Sequence, residues 1–213
     1  MTASSVSAPL AELLAGTATV CREWAEQDLG PYYLEQAPKR RDVSEDRAGV
    51  ALGLGLALAD NGGAPLDEAS VEIWHCDAHG RYSGFPPPEP TSNGGSPEYL
   101  ADRTFLRGTQ DTDRLGRVEF RTIYPGWYPG RTVHIHVIAR GFRRLFTSQL
   151  YFEDKLSDSV LSCPPYSDRP GRDTTNTTDV ILPTGGDPAV LQIVAVGDGY
   201  LGAARLHLPI EAE

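Results

Sequence analysis

The middle of the chain alternates. In Val50–Asp60, leucines at 52, 54, 56 and 58 recur at every second position, with Gly53, Gly55 and Ala57 between them. A period of two is that of a β-strand, whose successive side chains point to opposite faces, so the leucine face is expected in a core. Ser70–Cys76 reads the same way, with Val71 and Ile73 on one face and Glu72 and Trp74 on the other. Val118–Ile123, Thr132–Arg140 and Thr147–Phe152 are further expected strands. Val190–Val196 and Tyr200–Leu208 flank Gly197-Asp198-Gly199 as a C-terminal hairpin. At the N-terminal end, residues 9–15 (PLAELLA), with Pro9 in the first turn and Gly16 just past the end, predict a short helix. Residues 18–28 read as a second helical piece, and residues 1–8 as a mobile start. The proline-rich stretch Gly84–Arg107 and the stretch Asp154–Asp187 carry neither period and read as long irregular loops. Short strands between turn signals predict an all-β fold, an antiparallel β-sandwich. The expected division is a partly helical arm over 1–29 and a sandwich domain over 30–213.

Composition narrows the function. The 213 residues carry 19 Lys and Arg against 29 Asp and Glu, a net charge of −10. An acidic surface repels phosphate backbones, so nucleic acid is not an expected partner. No apolar run reaches the length of a membrane span, and no membrane partner is expected. The first thirty residues lack the basic start and long apolar stretch of a secretory signal, and three cysteines make no disulfide framework. Both features suit a reducing cytoplasm.

The chemistry concentrates in Tyr124–Val137 (YPGWYPGRTVHIHV). On the expected strand, His134 and His136 share a face and Val133, Ile135 and Val137 take the other. An HxH pair alone is equally two hydrogen-bonded histidines or two metal ligands. Tyr128 precedes the strand in a turn bounded by proline and glycine, which can aim its phenol at whatever the pair holds. No cysteine stands near, so a structural zinc site is poorly supported. Phenolate oxygen with imidazole nitrogen suits a hard trivalent ion such as Fe(III).

Four ordered motifs resemble the intradiol ring-cleavage dioxygenases, the catechol, protocatechuate and hydroxyquinol enzymes. They are Gly30-Pro31-Tyr32-Tyr33; Val71-Glu72-Ile73-Trp74 leading to Asp77, Gly80 and Tyr82; Arg121–Pro129 leading into Arg131–His136; and Gln149–Phe152. Asp173–Asp179 (DTTNTTD) adds a looser match. The resemblance implies a non-haem Fe(3+) cofactor held by Tyr82, Tyr128, His134 and His136. It implies catalytic roles for Arg131, Gln149 and Tyr128, the last as the ligand that leaves when substrate arrives. Trp74, Tyr32 and Tyr33 are the expected substrate-side aromatics. The implied reaction opens a catechol ring between its two hydroxyl-bearing carbons with O2, giving a cis,cis-muconate. Tyr128 and His134 stand only six positions apart, the spacing of a shorter branch of the family. The N-terminal arm is too short for the helical dimerisation domain of the catechol 1,2-dioxygenases, which leaves a homo-oligomer open. Two other readings compete: a cupin-like metalloenzyme using the HxH pair, which would need a nearby carboxylate and a later histidine, and a non-catalytic β-sandwich binding module.

Overall fold

The computed structural model describes residues 6–17, 24–86, 100–141, 144–182 and 189–209. Two sheets face each other. The first has the order β4-β1-β9-β8, from β4 (Arg117–Ile123), β1 (Ala51–Ala59), β9 (Gly199–His207) and β8 (Gln192–Val196). The second has the order β3-β2-β5-β6-β7, from β3 (Arg107–Asp111), β2 (Ser70–Trp74), β5 (His134–Gly141), β6 (Arg144–Tyr151) and β7 (Ala189–Val190). The sandwich is therefore as expected, but it is not antiparallel throughout. β1 runs parallel to β9, and β6 parallel to β7. Neither pair is joined by a hairpin, so no turn signal in the sequence forces an antiparallel pairing.

The alternation of β1 is used on both sides. Leu52, Leu54, Leu56 and Leu58 lie in the core between the sheets with Val71, Ile73, Phe120, Ile135, Val137 and Leu150. The opposite face is covered by α1 (Ala8–Gly16), which lays Leu10 and Leu14 on Gly55; Leu10 also reaches Gly53, and both leucines cluster with Ala57 and Ala203. A Cβ at Gly55 would stand 3.1 Å from Leu10, so the small residues are what let the helix approach.

Three sequence expectations change. Residues 24–28 are not helical: the Trp24 N–H donates to the His207 carbonyl (2.9 Å) and the Gln27 N–H to the Thr147 carbonyl (2.8 Å). The segment thus ties the two sheets together, and those bonds replace a helix's own; residues 18–23 lie outside the described residues. β3 begins at Arg107, the last residue of the first stretch read as irregular, and runs on where no strand was expected; residues 87–99 of that stretch are not described, and α2 (Asp154–Leu161) forms inside the second such stretch. Residues 1–5 also lie outside. Among the described residues no helix is long and apolar enough to cross a membrane.

Candidate metal centre

The outward face of the second sheet carries the chemistry. Its register aligns Arg107 with Trp74, Trp74 with His136, and His136 with Gln149, while His134 lies opposite Tyr151. Facing partners in a ladder share a side, so these groups project together. His134 and His136 are buried, and so are Tyr82 and Tyr128 above them.

Each phenol is placed by a turn. Before Tyr82, the Asp77 carboxylate accepts the N–H groups of His79 (2.9 Å) and Arg81 (3.0 Å). Gly80 sits there at φ +76°, where a Cβ would come within 2.3 Å of the Trp127 carbonyl oxygen. Only glycine fits that contact, which packs the Tyr82 turn against the one bearing Tyr128. Tyr128 opens a turn closed by the bridge to Arg131.

Proton bookkeeping fixes which atoms face the centre. His134 Nδ1 lies 2.6 Å from the Thr132 carbonyl, which can only accept, so Nδ1 carries the proton. Burial, with Arg131 adding to it, drives His134 down to about 3, so the ring is neutral and its Nε2 offers a lone pair. That Nε2 lies 3.3 Å from the Tyr128 hydroxyl and 3.1 Å from His136 Nε2. Burial and the neighbouring His134 hold His136 well below its ordinary range. The Trp74 ring stacks on His136 at 4.7 Å and 6°. Tyr82 is buried with no hydrogen-bond partner for its hydroxyl, and burial, with Tyr128 beside it, raises it well above the ordinary phenol. Burial raises Tyr128 too, against the opposing charge of Arg131.

Two neutral imidazoles and two phenols, one of them unpartnered, therefore converge in a buried place. Among the described residues no three His, Cys, Asp or Glu side chains gather as a metal site. The donors that do gather are of the nitrogen and phenolic-oxygen kind that a hard trivalent ion takes. Such an ion would supply the charge that draws a buried phenol to its phenolate form. The set fits a ferric ion.

Beside the phenols opens a cavity of about 480 Å³, lined by Tyr32, Tyr128, Arg131 and Gln149 among others, with Gly30, Pro31 and Ile181. Tyr32 stacks on Tyr82 (4.3 Å, 13°). Trp74 and Tyr33 do not line it: Tyr33 lies behind Trp74 (5.3 Å), its hydroxyl accepting from Arg140 (2.7 Å).

Two residues escaped the sequence reading. Asp179 accepts Arg131 Nε (2.9 Å), the Thr132 N–H (2.7 Å) and the N–H groups of Ile181 and Leu182. Burial alone would raise its carboxyl; those N–H groups and Arg131 outweigh it and hold it down. Arg131 donates its other arm to Gln149. Only the looser DTTNTTD match pointed there. Gly30, at φ +70°, would place a Cβ 3.0 Å from the His136 ring; its sequence signal was the Gly30–Tyr33 motif, which carries no ligand type.

A family model described as Dioxygenase matches residues 29–169. An intradiol ring-cleavage dioxygenase from Tetranychus urticae superposes with a TM-score of 0.79 at 33% identity, covering 89% of this chain and 95% of that one. Chlorocatechol 1,2-dioxygenase of Rhodococcus opacus is 28% identical over 58% of this chain and 54% of its own length. Catechol 1,2-dioxygenase of Acinetobacter baylyi is 32% identical over 55% of this chain and 43% of its own. The chain thus spans about half the length of these curated relatives. With the family model covering most of the sandwich and both tyrosine turns inside the match, the chain belongs to the intradiol ring-cleavage dioxygenase family.

Proposed function

We propose that residues 30–213 form a catalytic unit that holds one Fe(3+) ion through Tyr82, Tyr128, His134 and His136 and cleaves a catechol-type diol with O2 to a cis,cis-muconate-type product. The observation that carries this reading is the convergence of two neutral imidazoles, their Nε2 atoms 3.1 Å apart, and two buried phenols beside a cavity with a fixed guanidinium. When bound, the ferric ion supplies the Lewis acidity and redox chemistry that make a catechol ring reactive toward O2.

The chain's own groups supply the rest. Tyr128 is the phenol of the set that lines the cavity; held as a phenolate by the ion, its oxygen would take a proton from an entering diol and leave as the neutral phenol. Arg131 is raised above its ordinary range, because Tyr128 and Asp179 outweigh the effect of burial. It stays charged and, clamped between Asp179 and Gln149, presents that charge where negative charge develops on the substrate. Tyr32 forms an aromatic wall for the ring. The cupin-like reading calls for a carboxylate beside the pair; among the described residues the histidines' hydrogen-bond partners are Tyr128, Thr132 and each other.

The test is oxygen uptake by iron-loaded protein given catechol, with the product analysed after reaction under isotopically labelled O2. Both labelled atoms should appear in an open-chain dicarboxylate. A product opened outside the diol, or no uptake by protein carrying stoichiometric iron across a panel of catechols, contradicts the proposal.

A further inference from the structure

The row of side chains that holds His136 runs Arg107, Trp74, His136, Gln149 across four strands. Three of these have a part in the reading above; Arg107 does not. Its side chain is 2% exposed, and a buried guanidinium is costly unless it is paired. Among the described residues no carboxylate forms an ion pair with it. Glu72, the acid whose charge bears on Arg107, is bound to Arg140 at 2.6 Å.

Arg107 spends its hydrogen bonds on one residue. Nε donates to Ser83 Oγ (2.9 Å) and Nη2 to the Ser83 carbonyl (2.8 Å), while Ser83 Oγ donates onward to the Phe105 carbonyl (2.7 Å). Nη1 is buried and has no hydrogen-bond partner. Ser83 directly follows Tyr82, whose own hydroxyl is likewise buried and unpartnered. A planar fork gripping both the side chain and the carbonyl of one residue fixes it more firmly than a single bond can. A single arginine thus spans the strand register that aligns His136 and the loop that carries Tyr82.

We infer that Arg107 is a positioning residue of the metal centre: its fork on Ser83 sets the aim of the Tyr82 phenol relative to His136. The inference rests on the ferric-tyrosinate reading proposed above. Partners that hold a metal ligand in place typically change metal affinity by ~10–100-fold when removed.

The test uses the Tyr128→Phe background, in which any tyrosinate-to-iron band reports Tyr82 alone. Into it go Arg107→Met, Arg107→Lys and Ser83→Ala, each with circular dichroism to check the fold. Arg107→Met should shift and broaden the band and weaken iron binding by ~10–100-fold. Arg107→Lys keeps the charge without the fork and should recover part of the affinity but not the band position. Ser83→Ala should move the band the same way by less. A native fold with band and affinity unmoved in Arg107→Met overturns the inference; if that variant fails to fold, an unmoved band in both Arg107→Lys and Ser83→Ala overturns it. A missing band in iron-loaded Tyr128→Phe itself instead counts against Tyr82 as a ligand, and so against the proposed function.

Discussion

The two sheets share one apolar core, and they differ in what covers their outer sides. Over the first sheet lies a regular helix, and the contact is made of leucines on glycines and alanines: Leu10 and Leu14 against Gly53, Gly55, Ala57 and Ala203. Over the second lie irregular segments around Gly30–Tyr33, Tyr82, Tyr128–Arg131 and Asp179, and the face beneath them holds His134, His136, Gln149 and Tyr151. A helix brings only side chains to such a face, because its backbone groups are used internally. Loops bring backbone N–H groups and carbonyls as well, and these can satisfy buried polar side chains. Thr132 O on His134 and the three backbone N–H donors on Asp179 are such bonds. The difference teaches where the fold can place chemistry: on the face with an irregular cover.

The comparison breaks most sharply at His136→Ala. It removes one neutral nitrogen donor, and the iron should be lost together with nearly all activity; metal analysis finding one iron per chain in this variant would remove His136 from the set. Next comes Arg131→Ala. It should keep its iron and colour but lose ~10²–10³ in kcat, the usual cost of deleting one charge-stabilising group. Steady-state kinetics at saturating catechol checks this.

On the other face, Leu10→Ala should destabilise the fold by about 2–4 kcal/mol, since a fully buried leucine is cut to a methyl. The visible spectrum of the iron-loaded protein should not change. Denaturant titration beside the spectrum separates the two faces, and a spectral shift would show that they are coupled. A smaller effect is expected from Gly30→Ala, whose new methyl would press on the His136 ring from a backbone conformation that alanine resists. Iron affinity should fall ~10-fold with only modest loss of stability, as read by competition with a chelator.

The smallest effect lies in pH. Asp179 is held below its unfolded value of about 3.9, so its contribution is complete above that pH. It is lost as pH falls through the lower folded value. Asp179→Asn should therefore flatten the acid limb of the stability curve below about pH 4 and leave its slope near neutrality unchanged, measured by urea unfolding across pH.

How much of this was legible in the sequence follows from the same contrast. Strands with one core face and one other face announce themselves, so β1, β2, β4, β5, β6 and β9 were readable from alternation. β3 was not: Arg107-Gly-Thr-Gln-Asp has no apolar alternation and is defined by pairing with β2 at a sheet edge. α2 was hidden because its Ser- and Asp-rich sequence follows Glu153, which makes no side-chain cap. Trp24–Asp28 looked helical because its composition allows it, but long-range bonds to both sheets decide.

At the site, the two histidines were visible from their i, i+2 spacing, whereas Tyr82 was visible only through the motif resemblance. Asp179, Gly30 and Arg107 act through contacts made across the fold, 48 residues apart for Arg131 and Asp179. No local period encodes such contacts.

We propose that the loop-covered face is a ferric-tyrosinate centre. Its most direct measurement is the visible absorption of iron-loaded protein, compared with Tyr82→Phe and Tyr128→Phe, before and after anaerobic addition of catechol. The unaltered protein should show a tyrosinate-to-iron band that each substitution weakens or shifts. The catechol complex of Tyr128→Phe should approach that of the unaltered protein, while the complex of Tyr82→Phe should not. A colourless iron-loaded protein, or a band that neither substitution moves, would contradict it.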